Sequence, residues 1–144
     1  MVPKACEMIR TRVLLVDDHE VARRGVRSVL SSDSNLDVIG ETADGEEAVK
    51  KAEELRPAII LLDISLPGIS GIQAAQRIRV VSPESRIIFL SQHDSICIAK
   101  DALKVGAHAY VVKSDAGLDL LTAIEAARED RTFVSRTLIA RGWT

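Results

Sequence analysis

The chain has 144 residues, of which 47% are hydrophobic and 28% are charged, and its 19 basic and 21 acidic side chains give a formal net charge of -2. This length and apolar content fit one domain with a core on both faces of a sheet, and the charge balance excludes the basic surface typical of proteins that bind nucleic acid or anionic membranes. An aromatic content of 3% also excludes stacking platforms for bases or sugars.

Short apolar runs alternate with helical patterns five times along the chain. The first run, Val13 to Val16, is followed by Asp17-Asp18 and by a helical pattern from about Glu20 to Leu30. The second run, Leu36 to Thr42, has polar neighbours and an internal glycine. Because parallel strands buried on both faces read as continuous apolar runs, the first run predicts a central strand and the second predicts an edge strand.

The third strand is predicted between a helix stop and a turn. Asp44 begins a helix that Pro57 ends, and the apolar run Ile59 to Leu62 follows. This run ends in Asp63, which leaves a carboxylate at the mouth of a buried strand. A charge there is costly unless a partner group or a cation compensates it.

The fourth strand follows another helix with clear boundaries. Ser70 and Gln73 have capping-box spacing, and Pro83 ends the helix that they begin. The run Ile87 to Leu90 comes next and ends in Ser91. The sequence therefore predicts a second buried strand with a polar residue at its carboxyl end.

The fifth strand and two further helices complete the pattern. A helix from about Ser95 to Val105 is expected to end at Gly106, and the run Ala109 to Val112 ends in Lys113. A last helix from Leu118 to about Glu129 is expected to bury one face, which consists of Leu118, Leu121, Ile124 and Ala127.

These elements predict an α/β fold with a five-stranded parallel sheet and helices on both faces, and we take its strands to follow the flavodoxin-like order 2-1-3-4-5. We expect the domain to span residues 11–130. Residues 131–144 form a C-terminal extension or the start of a linker, and residues 1–10 are expected to be a loosely ordered lead-in.

Polar side chains stand at the carboxyl ends of four predicted strands, namely Asp17 and Asp18, Asp63, Ser91, and Lys113. Ligands of an open parallel sheet bind at these ends, where the strand order reverses, so we expect the aspartates to meet there. Two carboxylates about 5 Å apart repel by about 3 kcal/mol at an effective dielectric of about 20, which favours a cation. Mg²⁺ with a phosphate group fits this set, and Lys113 would neutralise phosphoryl oxygens.

Asp63 can serve as a metal ligand, as a nucleophile that forms an acyl phosphate, or as both. Each residue also has a simpler explanation: helix capping for Asp17-Asp18, a turn before Pro-Gly for Asp63, and an ordinary polar strand end for Ser91 or Lys113. The combination of all four strand ends favours a site. The three histidines lie in three different loops or strand starts, which disfavours a transition-metal site.

The cellular compartment is inferred from the cysteines and the hydropathy. Cys6 and Cys97 lie far apart, and no apolar stretch of signal-peptide length stands at the N-terminus. No run approaches the roughly 18 apolar residues of a membrane span. We therefore expect a cytoplasmic protein with free thiols and no membrane partner.

Four segments, in this order, resemble the receiver domain of bacterial two-component response regulators. They are Val13 to His19, Asp63 to Gly71, Leu90 to Asp94 and Gly106 to Lys113. The resemblance covers about residues 11–130. Its details, such as an Asp-Asp-His string and a Ser-x-His-Asp string, are most similar to the NarL/FixJ subfamily.

The resemblance implies that Asp63 is the phosphoacceptor and receives its phosphoryl group from a sensor histidine kinase. It further implies that Asp18, Asp63 and the backbone carbonyl of Ser65 bind Mg²⁺ (or Mn²⁺) directly, with Asp17 acting through water. The implied activity is signalling and not enzymatic turnover.

The resemblance also implies which residues hold the phosphoryl group and carry the signal. Ser91 and Lys113 would hold it, and Ser91 and Tyr110 would form the switch. A half-buried strand aromatic with a solvated hydroxyl is the simpler explanation of Tyr110.

Members of the subfamily usually continue into a DNA-binding helix-turn-helix domain, so contact with DNA, and control of transcription, is expected only through such a domain, which these residues do not include. We expect a truncated form more than a stand-alone receiver. A homodimer could use the helix faces around Val26 and Ile124, although both residues also suit the core. The alternative function is a Mg²⁺-dependent phosphatase-like enzyme with an aspartate nucleophile, but the position two past Asp17 is His19 and not a second aspartate.

Overall fold

The computed structural model describes residues 10–144. Cys6 and nearly all of the expected lead-in lie outside the described residues. The strands are β1 Thr11–Val16, β2 Leu36–Thr42, β3 Ile59–Leu62, β4 Arg86–Ser91, β5 Ala109–Val112 and β6 Phe133–Val134. The helices are α1 Glu20–Ser31, α2 Gly45–Leu55, α3 Gly71–Val81, α4 Ile96–Lys104, α5 Ala116–Arg128 and α6 Arg136–Ala140.

The strands form one parallel sheet in the order β2-β1-β3-β4-β5-β6. This order confirms the predicted flavodoxin-like arrangement and places β2 at an edge. The predicted count of five strands is wrong, because β6 pairs with β5 through Ala109 opposite Phe133 and Tyr110 opposite Val134. A run of two residues is too short to show strand periodicity in the sequence.

Each face of the sheet has its own core. Helices α1 and α5 cover one face, and α2, α3 and α4 cover the other. Val26 in α1 and Ile124 in α5, which the sequence left open between core and self-association, are 6% and 2% exposed and belong to the core. No helix within residues 10–144 is long and apolar enough to span a bilayer.

The buried face of α5 agrees only in part with the predicted one. Ile124 and Ala127 are buried as predicted and Leu121 is partly buried, but Leu118 is 68% exposed, and the stripe in the core consists of Leu120, Ala123, Ile124 and Ala127. The predicted face advanced by three residues at every step, and such a series drifts around a helix of 3.6 residues per turn. The observed stripe alternates steps of three and one, which keeps it on one side.

Residues 133–140 pack on the β5 edge of the sheet. The Ser135 N–H donates to the Tyr110 carbonyl at 3.0 Å, and the Val112 N–H donates to Ser135 Oγ at 3.0 Å. Leu138 is fully buried against the core that α2, α3 and α4 cover. The sheet and its core therefore continue past residue 130.

Local signals placed several helix ends correctly. The capping box at Ser70 and Gln73 is present in both directions and begins α3. Asp44 accepts a hydrogen bond from the Glu47 N–H at the start of α2. Gly106 follows α4 with φ +98°, a left-handed conformation that favours glycine. Cys97 is a free and exposed cysteine.

Candidate functional site

The first two carboxylates of the site are brought together by strand register. Val16 in β1 lies opposite Leu62 in β3, so the next residues, Asp17 and Asp63, leave the sheet side by side. The Asp63 N–H donates to the Val16 carbonyl at 3.1 Å and continues the strand pairing. These carboxylates, 46 positions apart in the chain, therefore stand at the reversal of strand order, where ligands of such sheets bind.

Lys113 bridges these two carboxylates. Its Nζ lies 2.6 Å from Asp17 Oδ2 and 2.9 Å from Asp63 Oδ2. The side chains of Asp17 and Asp63 are 3% and 4% exposed, and that of Lys113 is 20% exposed. Two buried anions thus share one cation, and the pair keeps an excess of negative charge.

Burial controls the proton affinity of Asp63. Burial raises the pKa of its carboxyl above the ordinary value, the Asp17 charge adds to this increase, and the hydrogen bond and charge of Lys113 oppose it. Burial alone lowers the pKa of Lys113, but its contacts with the two carboxylates outweigh burial and raise the pKa. Lys113 therefore remains protonated, whereas the ionised form of Asp63 is only partly stabilised by its surroundings.

Asp18 and His19 complete a group of ligand atoms. One atom each from Asp17, Asp18, His19 and Asp63 lies within 4.8 Å of all the others. His19 Nδ1 is 3.0 Å from Asp18 Oδ1, and the Asp18 side chain is 32% exposed. His19 occupies the N-cap position of α1, and neither aspartate caps that helix. Three carboxylates that converge from two loops give the oxygen ligands that Mg²⁺ prefers, so the residues fit this ion.

The loop after β3 is packed tightly around Asp63. The Ser65 N–H lies 3.4 Å from Asp63 Oδ1, and the Gly71 N–H donates to the Ile64 carbonyl at 2.7 Å. A Cβ at Gly71 would lie 1.9 Å from the Asp63 carbonyl oxygen, so only glycine fits at this start of α3. The start of α3 thereby restrains the backbone at Asp63.

Ser91, His93 and Tyr110 form a second chain of contacts beside the carboxylates. The His93 N–H donates to Ser91 Oγ at 3.1 Å, and the Tyr110 hydroxyl donates to the His93 carbonyl at 2.8 Å. Ser91 and Tyr110 are both fully buried. The expected alternative for Tyr110, a half-buried ring with a solvated hydroxyl, does not describe this geometry.

His93, like His19, is a site residue to which the sequence assigned no role. Its Nε2 lies 2.9 Å from Ser65 Oγ, so it joins the loop after β4 to the loop after β3. The feature of the sequence that could have predicted a role for His93 is its position two residues after Ser91, at the carboxyl end of a buried strand. His108 lies elsewhere, 3.3 Å from Asp130, so the three histidines share no partner.

The comparison with known families identifies most of the chain. The profile of the response regulator receiver domain matches residues 13–125. The response regulator protein VraR of Staphylococcus aureus is 33% identical over 129 residues, which are 89% of this chain and 62% of VraR. The chain therefore spans less than two thirds of the length of this relative.

Solved structures agree on the fold. A LuxR-family two-component response regulator from Aurantimonas sp. SI85-9A1 superposes with a TM-score of 0.86 at 34% identity, over 91% of this chain and 94% of the other. The isolated REC domain of RcsB from Salmonella enterica serovar Typhimurium, in the presence of the phosphomimetic BeF₃⁻, gives a TM-score of 0.85 at 25% identity, over 94% and 99% of the two chains.

Proposed function

The chain belongs to the response regulator receiver domain family, and from this premise we propose that Asp63 accepts a phosphoryl group from the phosphohistidine of a sensor kinase. The observation that carries the proposal is the Lys113 ammonium, which is shared between the buried carboxylates of Asp17 and Asp63. This arrangement leaves Asp63 both nucleophilic and short of stabilising partners.

The transfer exchanges one bond to phosphorus for another. A carboxylate oxygen of Asp63 attacks phosphorus, the bond from phosphorus to the imidazole nitrogen of the kinase breaks, and the nitrogen leaves with the electron pair. Lys113 stays close to the transferred oxygens, since its Nζ already contacts Asp63 Oδ2. The product is an acyl phosphate, and a receiver that ends at this step is a signalling domain and not a turnover enzyme.

Mg²⁺, or Mn²⁺ in its place, is the cofactor that this chemistry calls for. We assign Asp18, Asp63 and the Ser65 carbonyl as direct ligands and Asp17 as a ligand through water. When bound, the ion neutralises phosphoryl oxygens and the excess negative charge of the carboxylates.

Ser91 and Tyr110 are the proposed route of the signal. Once Asp63 carries phosphate, the Ser91 hydroxyl and Lys113 hold its oxygens, and movement of Ser91 pulls the His93 N–H that donates to it. The Tyr110 hydroxyl donates to the same residue, so its rotamer responds. A local change of charge thereby alters the surface formed by α4 and β5.

The output of the whole protein is proposed from its relatives. A solved structure of RcsB contains two dimers bound to two parallel DNAs, and this chain covers 67% of that RcsB chain. We propose that the receiver, expected at residues 11–130, continues through β6 and α6 to residue 140, because these elements pair with β5 and bury Leu138 in the core. We further propose that the segment after α6 leads to a DNA-binding output domain that controls transcription, and that the protein dimerises in the cytoplasm.

The phosphoacceptor is tested by incubating the full chain with Mg²⁺ and acetyl phosphate and measuring the intact mass. We expect one phosphoryl group per chain in the wild type and none in Asp63→Asn. Asp101→Asn, which changes an exposed aspartate of α4, is the matched control and should label normally. Labelling of Asp63→Asn at the wild-type rate would refute the assignment.

The same experiment separates the receiver from the phosphatase-like alternative. A receiver accumulates a single phosphoryl adduct that is absent in Asp63→Asn, whereas an enzyme hydrolyses organic phosphates continuously without accumulating the adduct. Family membership already disfavours the enzyme. Rapid turnover of a substrate such as p-nitrophenyl phosphate, abolished by Asp63→Asn, would restore it.

A further inference from the structure

Arg23 in α1 reaches back over the start of its own helix into the site. Its Nη1 donates to the backbone carbonyl of Asp17, and its Nε donates to Glu41 Oε1 at 3.2 Å. The side chain is only 18% exposed. Glu41 is itself held from a second side, because Arg27 Nη1 lies 2.6 Å from each of its carboxylate oxygens.

Helix electrostatics does not explain the position of Arg23. A cation in the first turn of a helix opposes the helix dipole, which favours anions there. The next residue, Arg24, shows the ordinary arrangement: it is 65% exposed and pairs with Glu20 one turn earlier. The inward orientation of the Arg23 side chain is therefore stabilised by its two acceptors. One of them belongs to Asp17, a member of the acid group, by which we mean Asp17, Asp18 and Asp63.

The Asp17 carbonyl belongs to the peptide that joins the two adjacent acids of the site. The Asp17 side chain is fixed by Lys113, and its N–H donates to the Thr42 carbonyl at 3.1 Å. Asp18 is less restrained, because its side chain is one-third exposed and contacts the exposed His19 ring. The orientation of the connecting peptide therefore decides where the Asp18 carboxylate points.

We infer that Arg23, held by Glu41, is a positioning residue that orients the peptide between Asp17 and Asp18 and so directs the Asp18 carboxylate toward Asp63 for Mg²⁺ binding. Arg23 acts through the backbone and does not touch the ion. This inference rests on the proposed function, because it takes the acid group to be the Mg²⁺ site.

Positioning and simple charge effects predict opposite results when Arg23 is removed. A cation close to the carboxylates repels Mg²⁺, so its loss strengthens the binding of Mg²⁺ if only charge matters. Loss of a positioning contact weakens it, and partners behind metal ligands typically contribute about tenfold or more to affinity. The sign of the change therefore distinguishes the two.

The experiment measures Mg²⁺ affinity of the full chain by isothermal titration calorimetry. We expect Arg23→Met to bind Mg²⁺ about tenfold more weakly, whereas the matched control Arg24→Met stays within about twofold because its charge is solvated. Arg23→Lys and Glu41→Asp keep every charge but shorten the side chains, so the contacts lengthen or break, and we expect each to weaken binding by about threefold. Unchanged or tighter binding in Arg23→Met overturns the inference, as does an equal loss in Arg24→Met.

The Mg²⁺ dependence of acetyl phosphate labelling gives a second readout. Because Arg23 acts on ion binding, the half-saturating Mg²⁺ concentration should rise in Arg23→Met while the rate at saturating Mg²⁺ stays within about twofold of wild type. If Arg23→Met does not fold, the charge-conserving variants carry the test. A wild type that binds Mg²⁺ but takes no phosphoryl group refutes the proposed function alone, and one that binds no Mg²⁺ refutes both.

Discussion

Two clusters of buried aspartates meet cations in this domain, and their proton affinities shift in opposite directions. Asp63 at the carboxyl edge of the sheet is 3% exposed, and Asp119 in α5 is 5% exposed. Burial raises the pKa of Asp63, whereas hydrogen bonds from the Arg136 side chain lower the pKa of Asp119. Both side chains are shielded from solvent, but desolvation has the larger effect on Asp63 and the hydrogen bonds from Arg136 have the larger effect on Asp119, so depth of burial and the supply of donors together set the direction.

Asp119 and Asp63 differ in the hydrogen-bond donors that their carboxylates receive. Asp119 accepts the Arg136 N–H at 2.9 Å and a guanidinium nitrogen at 2.8 Å, and no other carboxylate contacts that guanidinium among the described residues. Asp63 shares Lys113 with Asp17, and its Ser65 N–H contact is long at 3.4 Å. The carboxylate of Asp119, which has enough donors, connects α6 to α5. The carboxylate of Asp63, which has too few donors, can be stabilised further by an ion or by accepting a phosphoryl group.

The largest expected effect comes from removing the shared cation. Lys113→Met leaves two buried carboxylates without their partner, so we expect the free energy of unfolding in metal-free buffer to fall by roughly 3 kcal/mol. Phosphoryl labelling should fall by more than about tenfold. Urea denaturation and intact mass measure the two losses.

Lys104→Met is the control for that change, because Lys104 is an exposed lysine of α4 that pairs with Asp101 at 3.8 Å. It should alter neither quantity appreciably. Added Mg²⁺ should stabilise Lys113→Met more than wild type, since it replaces part of the missing charge. Equal stabilisation of both proteins would show that the ion binds away from Lys113.

An intermediate effect is expected at the satisfied cluster. Asp119→Asn replaces charge-assisted hydrogen bonds by weaker neutral ones, so we expect the melting temperature to fall by roughly 3 °C while labelling of Asp63 is unchanged. Glu129→Gln removes an exposed acid that also pairs with an arginine, and it should change the melting temperature less. A greater loss in Glu129→Gln would contradict the contrast between buried and exposed pairs.

The smallest expected effect is the pH dependence that separates the two clusters. In metal-free buffer, the raised pKa of Asp63 means that folded protein keeps this proton to higher pH than the unfolded chain, so stability falls as pH rises from the ordinary aspartate range through the raised pKa. The lowered pKa of Asp119 stabilises the fold above the ordinary range, and this contribution is lost as pH falls through the lowered value.

Urea midpoints measured across these pH ranges test both signs. Asp63→Asn should remove the loss at higher pH and leave the protein at least as stable as wild type at neutral pH, whereas Asp119→Asn should remove the loss at lower pH. If Asp63→Asn is clearly less stable than wild type at neutral pH, the carboxylate of Asp63 is stabilising and the contrast with Asp119 is wrong.

Local sequence signals predicted the elements of the sheet and where its polar residues fall. Continuous apolar runs of four residues mark strands buried on both faces, and each such run is followed by a polar residue that can be read directly, such as Asp63 or Lys113. The reversal of strand order then indicated that these residues meet, and the structure brings Asp17, Asp63 and Lys113 into contact.

Contacts between distant and individually ordinary residues could not be predicted in this way. Strand β6 has two residues, and its attachment depends on Ser135, whose hydroxyl accepts a hydrogen bond from the backbone of β5. In the sequence, Arg23 and Arg24 are two adjacent arginines of one helical pattern, and nothing distinguishes them. In the structure, the Arg23 side chain points to Asp17, whereas the Arg24 side chain points outward to Glu20. Periodicity reports which side of an element is apolar, but it carries no information about a polar partner on another element.

The sequence by itself determined the fold class, five of the six strands and the set of charged residues at their ends, because burial and backbone hydrogen bonding impose repeating patterns that a single chain displays. Tertiary structure alone decided how many donors each buried carboxylate receives. It gave Asp119 an arginine of its own and made Asp63 share Lys113, because hydrogen bonds and desolvation depend on distances of a few ångströms between residues that are far apart in the chain.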